Sequence, residues 1–195
     1  RLSDYDLLKF IHPSLRLGRK ISAILNSIKN VLSWHDLLFL EEEYTRWTVY
    51  FTALVSECSR NITEEICDKL EIAQRYRGIF CNERFDAERC LYRIQGGIPL
   101  KNSELYKNLS DFRVEMLLYM MAVTPNEEIK KAISHYFTQL RQIRPLIKGR
   151  DMKEMGIEPG PIYKKVLDAI LEARLNGELK TYEEEKSFVW NYVSS

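Results

Sequence analysis

Residues that break helices are scarce in this chain and unevenly placed. Its 195 residues hold 8 glycines and 6 prolines, and Gly149, Gly156, Pro159, Gly160 and Pro161 crowd into one short stretch. Elsewhere apolar residues recur at three- and four-residue spacing behind Ser, Thr, Asp or Asn, the pattern of amphipathic helices with side-chain N-caps. Alternation of the kind that makes strands is missing. The pattern predicts an all-α fold, an irregular multi-helix bundle with a small helical tail subdomain. We divide it into a helical body, residues 1–144, and a helical tail, residues 145–195, that opens on the glycine- and proline-rich segment.

Individual boundaries follow from the caps. Ser3 with Asp6 opens a short helix that Pro13 closes. Leu17, Ile21, Leu25 and Ile28 mark the next. Ser33 is expected to start a long central helix carrying Trp34, Leu37, Leu38, Trp47, Tyr50, Phe51 and Leu54. Thr63 is expected to cap a helix that Gly78 ends, and Gly96-Gly97 ends the one after it. Asn102 or Ser103, then Ser110, then Thr124-Pro125 open three more. The last two are expected over about 162–175 and, from a Thr181–Glu184 capping box, over 182–192.

Most candidate chemistry dissolves on inspection. Asp4 and Asp6 have the spacing of a two-metal carboxylate pair, but on a helix such residues point apart. Gly96-Gly97 has no strand before it and no GK[ST] after it, so it reads as a helix stop. His12, His35 and His135 lack acid–base partners in sequence, and no nucleophile, metalloprotease or P-loop motif is present. Cys58, Cys67, Cys81 and Cys90 are too widely spaced for a compact zinc site and read as reduced core residues. We therefore expect no catalytic residue, no bound metal and no cofactor in this chain.

Charge is nearly balanced, with 29 basic against 28 acidic side chains, so any polyanion must meet a local patch. Such a patch lies from Arg141 to Lys153. Arg141, Arg144, Lys148, Arg150 and Lys153 face only Asp151, five cations against one anion, a net +4. A smaller cluster is Arg16, Arg19 and Lys20. The larger run leads into the Gly156–Tyr163 helix start. There Pro159 and Pro161 stiffen the approach, Gly160 offers bare backbone, and the amides of Ile162, Tyr163 and Lys164 are expected to point outward with the positive end of the helix dipole behind them. Such a start either receives a phosphate or packs against the body. The candidate RNA-binding residues are Arg144, Lys148, Arg150, Lys153, Gly160 and Lys164.

From Arg144 to Val189 the sequence resembles the C-terminal signature of the bacterial class II tRNA nucleotidyltransferase and poly(A) polymerase family. Gly149, Asp151, Gly156, Pro159, Gly160, Pro161, Leu167, Ile170 and Gly177 match its GxDL…GxxPGPxxGxxLxxL pattern. Met152 stands where leucine is common, and Tyr163-Lys164 where many members carry a small residue. The opening LSDYDLLKFIHPSLRLG is similar to the family's neck-to-body connection. The family's catalytic GGxxRD and strand-borne DxD, and its EDxxR neck motif, have no counterpart here.

The resemblance implies the body and tail of an enzyme adding nucleotides to tRNA 3′ ends, the part that holds the acceptor and T-arm. Mg2+ and a nucleoside triphosphate (ATP, alone or together with CTP) are then expected in a catalytic head outside this chain. Expected partners are tRNA, through its phosphates, and the N-terminal catalytic domain of the same polypeptide. The chain opens on Arg1 rather than methionine, which reads as a piece of a longer protein. No apolar run is long enough to cross a bilayer, the start lacks a signal-peptide pattern, and a cytoplasmic location is expected. The alternative function is a helical protein-interaction or dimerisation module built on Trp34, Trp47 and the Tyr/Phe stripe, with a homodimer as its simplest assembly.

Overall fold

The computed structural model describes residues 8–40 and 42–194, so the expected Ser3–Asp6 helix start and the Asp4/Asp6 pair lie outside the described residues. In chain order the helices are α1 (Leu8–Ile11), α2 (Arg19–Asp36), α3 (Arg46–Leu54), α4 (Arg60–Lys69), α5 (Gln74–Gly78), α6 (Arg84–Gly97), α7 (Asn102–Leu109), α8 (Val114–Val123), α9 (Glu127–Thr138), α10 (Gly149–Glu154), α11 (Pro161–Leu175) and α12 (Tyr182–Val193). A π-helical turn, Ile79–Glu83, joins α5 to α6, and a 3-10 turn spans Leu140–Gln142. No strand occurs among the described residues. The fold is all-α, as the sequence predicts.

Two compact units divide the chain. The first comprises residues 1–98 and 111–133; the second comprises 99–110 and 134–195. The expected tail, 145–195, falls wholly in the second, together with α7.

The central helix of the first unit is α8, not the segment beginning at Ser33. Its residues Met116 to Ala122 are all buried, and α2, α3 and α6 pack around it. A helix apolar on every side has no face to give to water, so it takes the middle of its bundle. The expected helix from Ser33 through Leu54 is instead two. Ser33 lies inside α2, where its hydroxyl donates to the carbonyl of Lys29 (2.9 Å) rather than capping. After Asp36 the chain turns through Phe39, whose φ of 48° is left-handed. The return is clasped on Asp36, which accepts from Tyr44 Oη at 3.0 Å and Arg46 Nη2 at 2.6 Å.

Other starts move as well. Thr63 donates to Ser59 O (2.8 Å) from within α4, and Ser59 is the N-cap. Ser110 closes α7 instead of opening α8, whose N-cap is Arg113. Asn126, not Thr124-Pro125, caps α9; its Oδ1 accepts from the amides of Glu128 (2.9 Å) and Ile129 (3.4 Å). Gly78 does not stop a helix, because the backbone runs on through the π turn into α6. Gly97 does end α6, and Gly177 (φ 77°) turns the chain after α11.

His12 fixes the region after α1. Its Nδ1 accepts from the amide of Ser14 (3.1 Å), so Nε2 carries the proton toward Glu65 Oε2 at 3.2 Å. Arg84, 1% exposed, donates to the carbonyls of Ser56 (3.0 Å) and Cys58 (2.8 Å) and to Glu88 (3.0 Å). That network closes the loop between α3 and α4.

Candidate nucleic-acid interface

The second unit has its own small core. Ile147, Met152, Ile157, Val166, Ile170 and Val189 are buried together, with Tyr163, Leu167 and Phe188 packed around them. This apolar cluster decides where the basic residues point. On α10, Met152 takes the core side, and Arg150 and Lys153, three residues apart, share an exposed face. Asp151 is spent on the helix start: its Oδ2 accepts from the amide of Lys148 at 2.7 Å. Arg150 has only a loose ion pair with it, Nε to Oδ1 3.7 Å. Lys148, Lys153 and Lys164 make no ion pair among the described residues and are exposed.

The glycine–proline turn is organised by Tyr163. Gly156, at φ 80°, ends α10 with its own amide on Lys153 O (3.0 Å) and that of Ile157 on Met152 O (3.1 Å), as expected for a left-handed helix stop. Tyr163 Oη then donates to Ile157 O at 2.8 Å, and its ring lies 3.4 Å from where a Gly149 Cβ would stand. This ring joins the start of α10 to the first turn of α11, so Lys148 and Arg150 flank one side of the contact and Lys164 the other. Pro161 occupies the first helical position, as expected.

At this turn one expectation, the three outward amides, is corrected, and the surroundings of Gly160 become visible. Gly160 is not crowded: its backbone is fully extended (φ 178°), and an added Cβ would meet nothing within 4 Å. The set of outward amides is smaller than expected, because Tyr163 N–H is turned onto Gly160 O (3.0 Å). Arg144 also differs from its basic neighbours. Its Nη1 donates to the carbonyls of Arg141 and Ile143, both at 2.7 Å, so part of this guanidinium closes its own turn.

The residue that sequence reasoning missed is Glu185. It is wholly buried, and its carboxylate accepts from the amides of Leu146 (2.9 Å) and Ile147 (2.8 Å) and from Arg174 Nη1 (2.7 Å). This fixes the backbone between Arg144 and Lys148 from below. In sequence it hides among three consecutive glutamates, all suited to a helix start. The signal that finds it is phase: Glu185 stands four residues before Val189, on the apolar face of α12.

Among the described residues no group of three or more His, Cys, Asp or Glu side chains could hold a metal ion, and no helix is long and apolar enough to cross a membrane.

Known proteins resemble this chain over nearly its whole length. No family model matches the chain. An A-adding tRNA nucleotidyltransferase of Geobacter sulfurreducens is 38% identical over 189 residues, 95% of this chain. This chain is a homologue of one region of the A-adding tRNA nucleotidyltransferases. It corresponds to one region of those proteins, spanning 22% of the Geobacter enzyme. A second A-adding enzyme, from Halalkalibacterium halodurans, is 30% identical over 90 residues, 46% of this chain and 21% of that relative. Among solved structures, the Thermotoga maritima CCA-adding enzyme complexed with tRNA matches 99% of this chain and 46% of its own, with TM-score 0.75 at 18% identity. A CCA-adding enzyme with ATP covers 100% of this chain and 46% of its own at TM-score 0.71 and 16% identity. At those identities the likeness is one of fold.

Proposed function

We propose that this chain positions tRNA, holding the acceptor and T-arm region through phosphates, within an enzyme that adds nucleotides to tRNA 3′ ends. The observation that carries the reading is the exposed face of Arg150 and Lys153 on α10, with Lys148 and Lys164 close by, on a scaffold anchored by the Ile147–Val189 core. Duplex RNA presents phosphates and 2′-hydroxyls more readily than base edges, so fixed cations suit it. The relatives support the direction: two are A-adding enzymes, and one solved neighbour is a complex with tRNA.

On this reading the N-terminal catalytic domain of the same polypeptide supplies Mg2+ and the bound nucleotide, and this region alone adds nothing to RNA. The whole protein works in the cytoplasm and adds AMP. The contact residues are Arg150, Lys153, Lys148 and Lys164, with Arg144 in a lesser role because its guanidinium is shared with backbone carbonyls. Gly160 lies at the rim, where open space leaves room for a phosphate.

The test is the salt dependence of tRNA affinity for Arg150→Gln/Lys153→Gln. Each lost phosphate contact should weaken binding and lower the slope of log K against log salt by about 1. An unchanged affinity and slope would remove these residues from the interface. Gly160→Ala is the companion measurement. Its methyl group disturbs nothing in the protein, so a loss of affinity at unchanged melting temperature would report a ligand at the turn.

A further inference from the structure

The tail residues leave one surface of the first unit without a role. Trp47, on α3, is 41% exposed yet rigidly held. Its ring meets Phe51 at 6.0 Å and Tyr76 at 5.0 Å edge to face, and Phe80 at 5.7 Å. Phe80 is fully buried and packs on Phe51 at 4.6 Å. Beneath this cluster the helix takes its π turn, a costly local geometry that recurs at functional sites. On its outer side the guanidinium of Arg75 lies 4.7 Å from the centre of the Tyr76 ring.

Charge separates Arg75 from its neighbours. Arg46 is bound to Asp36, and Arg77 to Asp68. Arg75 is exposed and pairs with no carboxylate among the described residues. The surface thus presents an exposed indole, a tyrosine ring and an unneutralised planar cation, all held before any ligand arrives. A simple anion would use the cation and leave the rings idle. A nucleotide uses all three groups: its base stacks on aromatic and guanidinium planes, and its phosphate meets the charge.

We propose that Trp47, Tyr76 and Arg75 form a stacking platform for an unpaired nucleotide of the bound RNA. The proposal rests on the reading of this chain as RNA-binding, but it concerns a different surface and a different interaction from the phosphate contacts of α10.

The experiment uses the protein with Trp34→Phe and Trp190→Phe, which leaves Trp47 as the one remaining tryptophan of the 3 in this region. Titration with tRNA, and with a single-stranded RNA octanucleotide, should quench its fluorescence to saturation. Trp47→Leu should weaken tRNA binding roughly tenfold with the salt slope unchanged, and Trp47→Phe should retain most of the affinity. Arg75→Gln, a surface change that spares the fold, should weaken it about threefold. If Arg150→Gln/Lys153→Gln weakens tRNA while the Trp47 and Arg75 variants bind normally and Trp47 is not quenched, the platform is refuted and the phosphate reading stands. If tRNA does not bind at all, or no variant in either set alters binding, both fail. Loss of self-association in Trp47→Leu, with RNA affinity intact, would make the surface a protein interface and equally overturn the proposal.

Discussion

Replacing Glu185 by alanine should release the backbone that carries the basic segment. The native carboxylate is wholly buried and takes three donors: the amides of Leu146 and Ile147 and the guanidinium of Arg174, at 2.7–2.9 Å. Its removal leaves Arg174, 17% exposed, as a poorly hydrated cation. Losing one partner of a buried pair costs about 3–5 kcal/mol. The two stranded amides each add about 1 kcal/mol unless water reaches them. These losses overlap, so we expect about 4 kcal/mol in total, a large share of a typical domain's stability. At roughly 2–4 °C per kcal/mol, the melting temperature should fall by about 10 °C. Glu185→Gln keeps the shape and one acceptor oxygen and should lose about half as much. Circular dichroism melting reads the total, and hydrogen exchange at the Leu146 and Ile147 amides reads the location. A melting point within about 2 °C of wild type, with those amides still protected, would refute the assignment of Glu185 as the anchor.

Three further outcomes follow from the same structure. The amides of Lys180 and Thr181 hold the Glu184 carboxyl below the usual carboxylate range. A depressed folded value gives stability above the unfolded pKa that is lost as pH falls through the folded one, so between about pH 5 and about pH 3 the melting temperature of wild type should drop more steeply than that of Glu184→Gln. All four cysteines are buried, and burial, reinforced by nearby Cys81, pushes the Cys67 thiol up to about 12. Thiol reagents at neutral pH should modify the native protein on the order of 100-fold more slowly than the denatured chain, and a fast native thiol would contradict this. Gly156→Ala, at φ 80°, should lose about 1 kcal/mol in chemical denaturation, whereas the extended Gly160→Ala should lose almost nothing.

How far the sequence carried the reading depended on the residue type at each boundary. Most backbone-driven signals were legible, Gly78 and Pro125 being the exceptions. Gly156 and Gly97 end their helices, Pro161 opens α11, and Thr181 with Glu184 caps α12 as a box. Hydroxyl signals were ambiguous, because serine and threonine satisfy their oxygen equally well by capping a helix or by bonding back one turn inside it. Ser33 and Thr63 do the latter. The π turn leaves no periodic mark and was invisible. At the candidate interface the cations were legible from local charge, since charge needs no geometry to be counted. What fixes them was not: Glu185 acts across nearly forty residues of sequence, and Tyr163 works through a ring contact that no motif encodes.

The contact between Tyr163 and Gly149 has an evolutionary corollary. With Cδ2 of the tyrosine 3.4 Å from the ideal Cβ position, residue 149 has room for a methyl group at most. Volume at the two positions is therefore exchangeable rather than independent. A family member with a small residue at the position of Tyr163 is free to carry a longer side chain where this chain has Gly149, and one that keeps the tyrosine is not. Across an alignment a longer side chain at 149 should occur only beside a small residue at 163, and in this chain exchanging both at once should cost less than the sum of the two single changes.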